Sequence, residues 1–200
     1  MTARTVGIVD YGVGNLRSLK GALETVGWRV AIGKRPEAFE NISALLLPGV
    51  GSAAFAMQAL NDNGMVPFIR ERFEREDVPM IGVCLGMQLM YDWSEEGDTT
   101  CLGLIPGRTL VFPGHDCHVG WNIVEPVAGN PGAPAASHAY YFNHSFRVET
   151  PPETLAGRAR YANVEVSAMV RARRFTGVQF HPEKSQLVGR ALLADLLENG

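Results

Sequence analysis

A cysteine at position 84 lies between a short apolar run and a glycine, within the stretch GVCLGMQ at residues 82–88. The apolar residues 78–83 predict a buried parallel strand, and the residues after the cysteine return to helical spacing. Gly82 and Gly86 have no Cβ, which suits a sharp, crowded turn from strand to helix. Such a turn presents a nucleophile, and the backbone N–H groups that open a helix favour a thiolate. A free cysteine is often a small buried hydrophobe, so both interpretations stay open for this stretch alone.

A histidine and a carboxylate two residues apart could supply the base that such a thiol needs. His181 and Glu183 lie in GVQFHPEKS at residues 177–185, and alternate side chains of an extended segment project to one face. Pro182 between them restricts the backbone. Glu183 could then hold one ring nitrogen while the other faces the thiol. The alternative is an exposed turn after a strand, because only tertiary folding can bring His181 to Cys84.

Two glycine-rich turns follow predicted strands. In LPGVGS at residues 47–52, Gly49 and Gly51 would allow backbone amides to face a ligand, as an oxyanion hole requires. The same residues are also compatible with an ordinary strand-to-helix turn. DYGVGN at residues 10–15 begins like a dinucleotide-binding turn but has Arg17 where the third glycine belongs. We therefore expect no dinucleotide cofactor.

A competing metal site is suggested by GHDCHVGW at residues 114–121. His115, Asp116, Cys117 and His118 are all potential ligands, but neighbours on a strand alternate faces and cannot all meet one ion. His115 and Cys117 could share a face and make a weak two-ligand site. We expect a loop and strand edge with polar residues, and no bound metal.

Composition excludes several classes of function. The 200 residues are 46% hydrophobic and have no long linker or repeat, which predicts one domain over residues 1–200. The formal net charge of −3, with both signs interspersed, argues against binding to nucleic acid or to a membrane surface. The first residues lack the apolar run of a signal peptide, and no stretch is long enough to span a membrane. We expect a cytoplasmic protein with three reduced cysteines, Cys84, Cys101 and Cys117.

Strands and helices alternate in the first half of the chain. Strands are predicted at residues 5–12, 28–33 and 44–51, and helices at 15–27 and 65–76. This alternation, followed by the cysteine strand, predicts a flavodoxin-like α/β domain: a central, mostly parallel sheet flanked by helices. Ligands of such sheets bind beyond the carboxyl ends of the strands, where Cys84 lies.

The second half has a different texture. From about Leu110, short β-type runs are broken by Gly, Pro and Asn, which predicts a more antiparallel, β-rich half. Residues 129–137 are rich in Gly, Pro and Ala and predict a disordered loop. Residues 185–200 predict a final helix that packs on the sheet, with Ser185 as its cap.

With Cys84, His181 and Glu183 in this order, the stretches GVCLGMQ, PGVGS and FHPEKS together resemble the class I, triad-type glutamine amidotransferases. DYGVGNLRS, HVGWN and YYFNHSF are similar to the branch that forms the glutaminase subunit of imidazole glycerol phosphate synthase, an enzyme of histidine biosynthesis. The resemblance covers almost the whole chain. Asn143 departs from the apolar residue frequent in this branch, whereas other class I glutaminases have Asn-His at this place.

The resemblance implies a glutaminase mechanism without a cofactor. Cys84 would attack the side-chain carboxamide of glutamine, His181 would pass a proton to the leaving ammonia, and Glu183 would orient His181. Water would then release glutamate from the thioester. The resemblance places the oxyanion hole at the amide of Leu85 and the loop Gly49, Val50 and Gly51. It assigns the amino-acid end of the substrate to Gln88 and to the backbone of Ser145 and Phe146.

The same resemblance implies a heterodimer. The partner would be a (β/α)8-barrel cyclase that receives the ammonia, and activity would stay low until this partner and its nucleotide ligand bind. Family positions at or near the interface are matched by Asn15, Trp121, Tyr141 and Lys184. For Trp121 and Tyr141 plain core packing is an equal alternative.

Three other functions are compatible with the same residues. A triad glutaminase could feed a different synthase, and copurification with a barrel cyclase would distinguish the two. A cysteine hydrolase of peptides or small amides on a related sheet would act without a partner and without preference for glutamine. A binding module without catalytic activity would need neither Cys84 nor the pair of His181 and Glu183 intact.

Overall fold

The structure, a computed structural model, describes residues 4–12, 14–115 and 117–200. These residues form a nine-stranded sheet, a four-stranded sheet and five α-helices. The strands are, in chain order, β1 (Thr5–Val9), β2 (Arg29–Gly33), β3 (Ala44–Leu47), β4 (Met80–Val83), β5 (Trp93–Ser94), β6 (Thr99–Thr100), β7 (Arg108–Val111), β8 (His118–Pro126), β9 (His138–His144), β10 (Phe146–Glu149), β11 (Leu155–Tyr161), β12 (Val164–Ala172) and β13 (Phe175–Val178). The helices are α1 (Leu16–Thr25), α2 (Ala53–Asp62), α3 (Met65–Arg75), α4 (Leu85–Gln88) and α5 (Gln186–Asn199).

The large sheet has the order β2-β1-β3-β4-β13-β12-β11-β8-β9. Its first five strands are parallel neighbours, and the last four join by antiparallel pairing. This arrangement confirms the predicted α/β class with an antiparallel, β-rich second half. The parallel strand β13 comes from that second half and lies directly beside β4. The carboxyl ends of β4 and β13 therefore meet at one edge of the sheet.

Helices cover both faces of the parallel strands. On β3, Leu46 packs into one hydrophobic cluster while Leu45 and Leu47 pack into the other, as expected for side chains that alternate along a strand buried on both faces. The first cluster includes residues of α1 and α5, namely Leu19, Leu23, Leu192, Leu193, Leu196 and Leu197. The second includes residues of α2 and α3, namely Ala56, Met57, Leu60, Met65, Ile69 and Phe73.

The predicted helices are present, with one correction. Helix α1 has Leu19 and Leu23 buried as its periodicity indicates, and it is capped by Asn15, whose Oδ1 accepts a hydrogen bond from the Ser18 N–H at 3.2 Å. Ser185 is the N-cap residue of α5, as predicted, but its side chain makes no capping hydrogen bond to the helix. Its Oγ donates to the His181 carbonyl at 2.7 Å and accepts from the Tyr141 N–H at 3.0 Å. Ser185 thus fixes the backbone next to His181.

The segment predicted as a disordered loop, residues 129–137, connects β8 to β9 without helix or strand. Asn130 attaches it to the body of the protein, because its Nδ2 donates to the carbonyls of Glu153 and Leu155 at 3.0 and 3.1 Å. Within the described ranges, none of the helices has both the length and the apolar character needed to cross a membrane.

Candidate active site

Cys84 and the segment that contains His181 follow two adjacent parallel strands. Val83 is the last residue of β4 and pairs with Val178, the last residue of β13. The Cys84 N–H continues this ladder by donating to the Val178 carbonyl at 2.7 Å. Tertiary folding therefore brings together the two segments that the sequence places far apart.

The backbone at Cys84 has the sharp turn predicted from its glycines. Its φ of 50° and ψ of −106° lie in a region that residues other than glycine rarely adopt. A Cβ on Gly86 would lie 2.0 Å from the Leu47 carbonyl oxygen, and a Cβ on Gly82 would lie 2.7 Å from the Phe175 ring. The packing thus requires both glycines, and it holds the cysteine in a strained conformation of the kind found at functional sites.

His181 and Glu183 form a buried pair beside this turn. The His181 Nδ1 and the Glu183 Oε1 are 2.9 Å apart, and the two side chains are 1% and 6% exposed. Burial opposes a charge on the imidazole, but Cys84 and Glu183 outweigh it and raise the pKa of His181 to about 10. The His181 Nε2 has no hydrogen-bond partner among the described residues. Because Glu183 holds Nδ1, Nε2 is the ring nitrogen left to exchange a proton.

The loop that contains Gly49 packs directly against the start of α4. A Cβ on Gly49 would lie 2.4 Å from the Leu85 Cβ and 2.7 Å from the Leu85 nitrogen. Gly51 has a φ of +113°, which glycine adopts without strain. The backbone of this loop and the Leu85 amide therefore border the same space, as an oxyanion hole requires.

A cavity of about 230 Å³ opens at Cys84. Seven of the residues predicted for catalysis or binding line it, together with three others. The lining residues are Val50, Gly51, Cys84, Leu85, Gln88, Glu96, Asn143, His144, Ser145 and Phe146. Cavities of about 420 and 360 Å³ lie elsewhere on the protein, but neither is lined by a residue of the cysteine turn or of the histidine segment. The smaller cavity, lined by Cys84, is therefore the candidate active site.

Hydrogen bonds through Gln88 and Gln179 connect the lining of this cavity to the Cys84 thiol. The Gln88 Nε2 donates to the Gln179 Oε1 at 3.0 Å and to the Phe146 carbonyl at 3.2 Å. The Gln179 Nε2 in turn donates to the Cys84 Sγ at 3.5 Å. Sequence reasoning missed Gln179 and Glu96. A polar residue at the end of an apolar strand was the available signal for Gln179.

The residues predicted for a partner interface lie in different surroundings. Trp121 is 50% exposed, so the alternative of core packing is wrong for this residue. Its ring contacts that of Tyr141 edge-on, with centroids 6.2 Å apart, and the Lys184 Nζ lies 5.7 Å from the centre of the Tyr141 ring. Asn15 caps α1.

The alternative metal site is not favoured by the geometry. Asp116 and the side chain of His115 lie outside the described residues. Cys117 contacts the Ser145 Oγ at 3.0 Å, and both ring nitrogens of His118 are within 3.0 Å of side-chain partners, His144 and Asn122. His118 is therefore committed to hydrogen bonds and has no lone pair to offer a metal.

Comparison with known proteins identifies the family. The model of the class-I glutamine amidotransferase family matches residues 7–198. The chain belongs to this family. Among curated relatives, the imidazole glycerol phosphate synthase subunit HisH of Idiomarina loihiensis is 40% identical, and the match covers 96% of each protein. The HisH of Halalkalibacterium halodurans is 38% identical over 94% of this chain and 92% of that protein.

Solved structures agree with the amidotransferase fold. A crystal structure of a glutamine amidotransferase matches with a TM-score of 0.78 at 19% identity, and covers 98% of this chain and 99% of the other. PurLQS from Thermotoga maritima matches with a TM-score of 0.74 at 17% identity, over 98% of each chain. The resemblance inferred from the sequence motifs, to the class and to its imidazole glycerol phosphate synthase branch, is confirmed.

Proposed function

We propose that this chain is the glutaminase subunit of an imidazole glycerol phosphate synthase, which hydrolyses glutamine and supplies ammonia to a cyclase partner in histidine biosynthesis. The observation that carries the proposal is that Cys84, which lines a cavity, follows the strand next to the one that leads to the buried pair of His181 and Glu183. The near full-length similarity to HisH proteins supports the choice of synthase.

In the proposed reaction, His181 takes the proton of the Cys84 thiol, and the sulfur attacks the side-chain carbonyl carbon of glutamine. The negative charge that develops on the oxygen is held by the Leu85 N–H and by an amide of the loop Gly49, Val50 and Gly51. When the carbon–nitrogen bond breaks, His181 delivers a proton to the departing nitrogen and ammonia leaves a γ-glutamyl thioester. His181 then takes a proton from water, and the water oxygen attacks the thioester carbon. The carbon–sulfur bond breaks and His181 returns the proton to the sulfur, which leaves glutamate and the free thiol.

Substrate orientation falls to the far wall of the cavity. Gln88 and the backbone of Ser145 and Phe146 would contact the amino-acid end of glutamine. Glu96 adds a carboxylate to the same cavity, where it can attract the α-ammonium group. Its Oε2 accepts a hydrogen bond from the Ala53 N–H at 2.7 Å, which holds the side chain in place.

The partner would be a (β/α)8-barrel cyclase that binds as a heterodimer. Three apolar side chains on the same face of β8 are at least half exposed: Val119 at 53%, Trp121 at 50% and Ile123 at 56%. Aromatic and aliphatic surface of this kind is typical of protein interfaces. We assign Trp121, Tyr141 and Lys184 to the rim nearest the active site and Asn15 to the same interface.

We further propose that residues 1–200 act as one domain in the cytoplasm. Cys84, Cys101 and Cys117 are all free thiols, which suits a reducing compartment and leaves the nucleophile available.

The experiment measures glutamate release from glutamine by the purified chain, with and without a barrel cyclase and its nucleotide ligand. We expect strong stimulation by the complex and loss of turnover in Cys84→Ala. The control is Cys117→Ser, which removes another thiol near the cavity and keeps a hydroxyl for the contact with Ser145. Turnover that ignores the partner would contradict the pathway, and turnover in Cys84→Ala would contradict the mechanism.

A further inference from the structure

A line of hydrogen-bonded polar side chains runs from the partly exposed Asn122 on strand β8, through two buried histidines, to the wall of the glutamine cavity. The Asn122 Nδ2 lies 3.0 Å from the His118 Nε2, and the His118 Nδ1 lies 3.0 Å from the His144 Nε2. The His144 Nδ1 lies 2.7 Å from the Phe146 carbonyl oxygen. The mechanism proposed above uses none of Asn122, His118 and His144, although two of them are buried histidines.

The donor and the acceptor of every hydrogen bond in this line follow from its inner end, the Phe146 carbonyl. The Phe146 carbonyl can only accept, so the His144 Nδ1 carries the hydrogen and its Nε2 is an acceptor. The His118 Nδ1 must then donate to His144, and the His118 Nε2 accepts from Asn122.

The hydrogen bonds of Asn122, at the outer end, require the same donors and acceptors. The Asn122 Oδ1 accepts from the Ile123 N–H at 2.8 Å, and its Nδ2 also donates to the Arg160 carbonyl at 2.9 Å. The amide is therefore oriented with its N–H groups toward His118. Both ends agree on one arrangement, in which His118 and His144 are neutral and each carries its hydrogen on Nδ1.

The surroundings keep both rings neutral. His118 is stacked between the rings of Phe142 and Tyr161, each with a centroid 4.3 Å away. Burial lowers the pKa of His118 to about 4, and lowers that of His144 to about 3. A neutral imidazole needs one donor and one acceptor neighbour, and each ring has that combination.

The inner end of the line is part of the glutamine cavity. The Phe146 carbonyl accepts from both the His144 Nδ1 and the Gln88 Nε2, so its two lone pairs are used. His144, Gln88 and Phe146 all line the cavity. Losing the donor at His144 would free the carbonyl to rotate and would remove one of the constraints on Gln88.

We propose that Asn122 and His118 are positioning residues for glutamine: through His144 they fix the Phe146 carbonyl and Gln88 where the substrate's amino-acid end binds. The inference rests on the proposed glutaminase function. It also connects the cavity to β8, because Asn122 follows the exposed Trp121 on the strand that we assign to the partner interface.

The first test is His118→Phe. Phenylalanine keeps the stack between Phe142 and Tyr161 but removes both hydrogen bonds. With the barrel cyclase and its nucleotide ligand present, we expect the KM for glutamine to rise about 5- to 10-fold, the loss of roughly one hydrogen bond, while kcat changes less than about threefold. An unchanged KM, or a fall in kcat alone, would overturn the proposal.

The second test replaces the hydrogen-bond donor at position 122 by an acceptor and keeps the shape of the side chain. In Asn122→Asp the carboxylate can only accept, so a neutral His118 must turn its hydrogen to Nε2, and His144 loses the donor that holds its Nε2 lone pair. We expect the same increase in KM. The matched control is Asn61→Asp at the end of α2, which should leave KM and kcat unchanged.

A spectroscopic measurement separates this inference from the proposed function. In protein labelled with ¹⁵N-histidine, the ring nitrogens of His118 and His144 should show neutral rings with hydrogen on Nδ1, and Asn122→Asp should alter both signals. Hydrogen on Nε2 in the unaltered protein would overturn the inference, whatever the activity. Absence of glutaminase turnover in the unaltered complex would instead contradict the proposed function, because the ¹⁵N signals do not depend on turnover.

Discussion

The Gln179 Nε2 lies 3.5 Å from the Cys84 Sγ and donates a hydrogen bond to it. Gln179 is fully buried, and its Oε1 is held by Gln88. The side-chain amide of Gln179 is therefore fixed with its N–H groups toward the sulfur. A donor held in this way stabilises negative charge on the nucleophile.

Replacing that donor should slow the reaction of Cys84. In Gln179→Glu the side chain keeps its shape, but a carboxyl group faces the sulfur and a like charge would oppose the thiolate. We expect alkylation of Cys84 by iodoacetamide at neutral pH to slow about 10-fold, with a similar fall in kcat/KM. Unchanged alkylation would mean that the contact with Gln179 does not influence the thiol. Gln58→Glu, the same change on the exposed part of α2, is the control.

The buried pair of His181 and Glu183 leads to a second prediction. Glu183→Gln keeps an oxygen to accept from the His181 Nδ1 but removes the charge, which is one of the causes of the raised pKa of His181. We expect kcat to fall about 10- to 100-fold with little change in KM, since charged hydrogen bonds contribute more than neutral ones. The measurement is steady-state glutaminase kinetics of the complex. A large rise in KM at constant kcat would assign Glu183 to substrate binding instead.

Local patterns predicted the parts of this site that depend on neighbouring residues. The turn at Cys84 follows from glycines two residues away on either side, and the pairing of His181 with Glu183 follows from their spacing. Contacts between distant segments left no such pattern: Gln88 and Gln179 meet only because β13 is inserted beside β4. The hydrogen bond between His118 and His144 could not be predicted for the same reason, because it depends on the register between β8 and β9.

The fold shows a similar division. The helix α1 has well-separated apolar positions and was predicted, whereas α2, with its sequence AAFAMQALND, was not. Its buried residues include the small Ala53 and Ala56, which give a weak periodic signal. The position of Ser185 before α5 was predicted, but the competing hydrogen bonds to Tyr141 and His181 decided where its side chain points.

Gly86 gives a third prediction, about stability. The Gly86→Ala methyl group would meet the Leu47 carbonyl oxygen at 2.0 Å, and backbone on both sides would have to move. We expect the free energy of unfolding to fall by about 1–3 kcal/mol, with loss of glutaminase activity because the cysteine turn is displaced. The control is Gly21→Ala inside α1, where the methyl group meets nothing within 4 Å and helix propensity should raise stability by roughly 0.5–1 kcal/mol. Denaturant unfolding compares the two, and equal effects would contradict the packing argument.

Stability should fall on both sides of about pH 6.5, the pKa of an unperturbed histidine. Below this pH the unfolded chain binds protons at His118 and His144 that the folded protein excludes, because burial lowers the two pKa values to about 4 and about 3. The free energy of unfolding therefore decreases as the pH falls from about 6.5 toward 4. Above about pH 6.5 the folded protein holds a proton at His181 that the unfolded chain releases, so this contribution is lost as the pH rises toward 10.

Denaturant unfolding between pH 5 and pH 9 measures the fall in stability below pH 6.5, the acid limb, and above it, the alkaline limb. Variants then assign each limb to particular residues. His118→Phe should flatten the acid limb, since it removes one of the two histidines that resist protonation. Glu183→Gln should flatten the alkaline limb, because it removes a cause of the raised pKa of His181. His138→Gln, at an exposed histidine, is the control and should change neither limb. A stability that stays constant from pH 6.5 down to pH 5 would show that the folded protein accepts protons at both His118 and His144, and would contradict the neutral state of the line from Asn122 to Phe146.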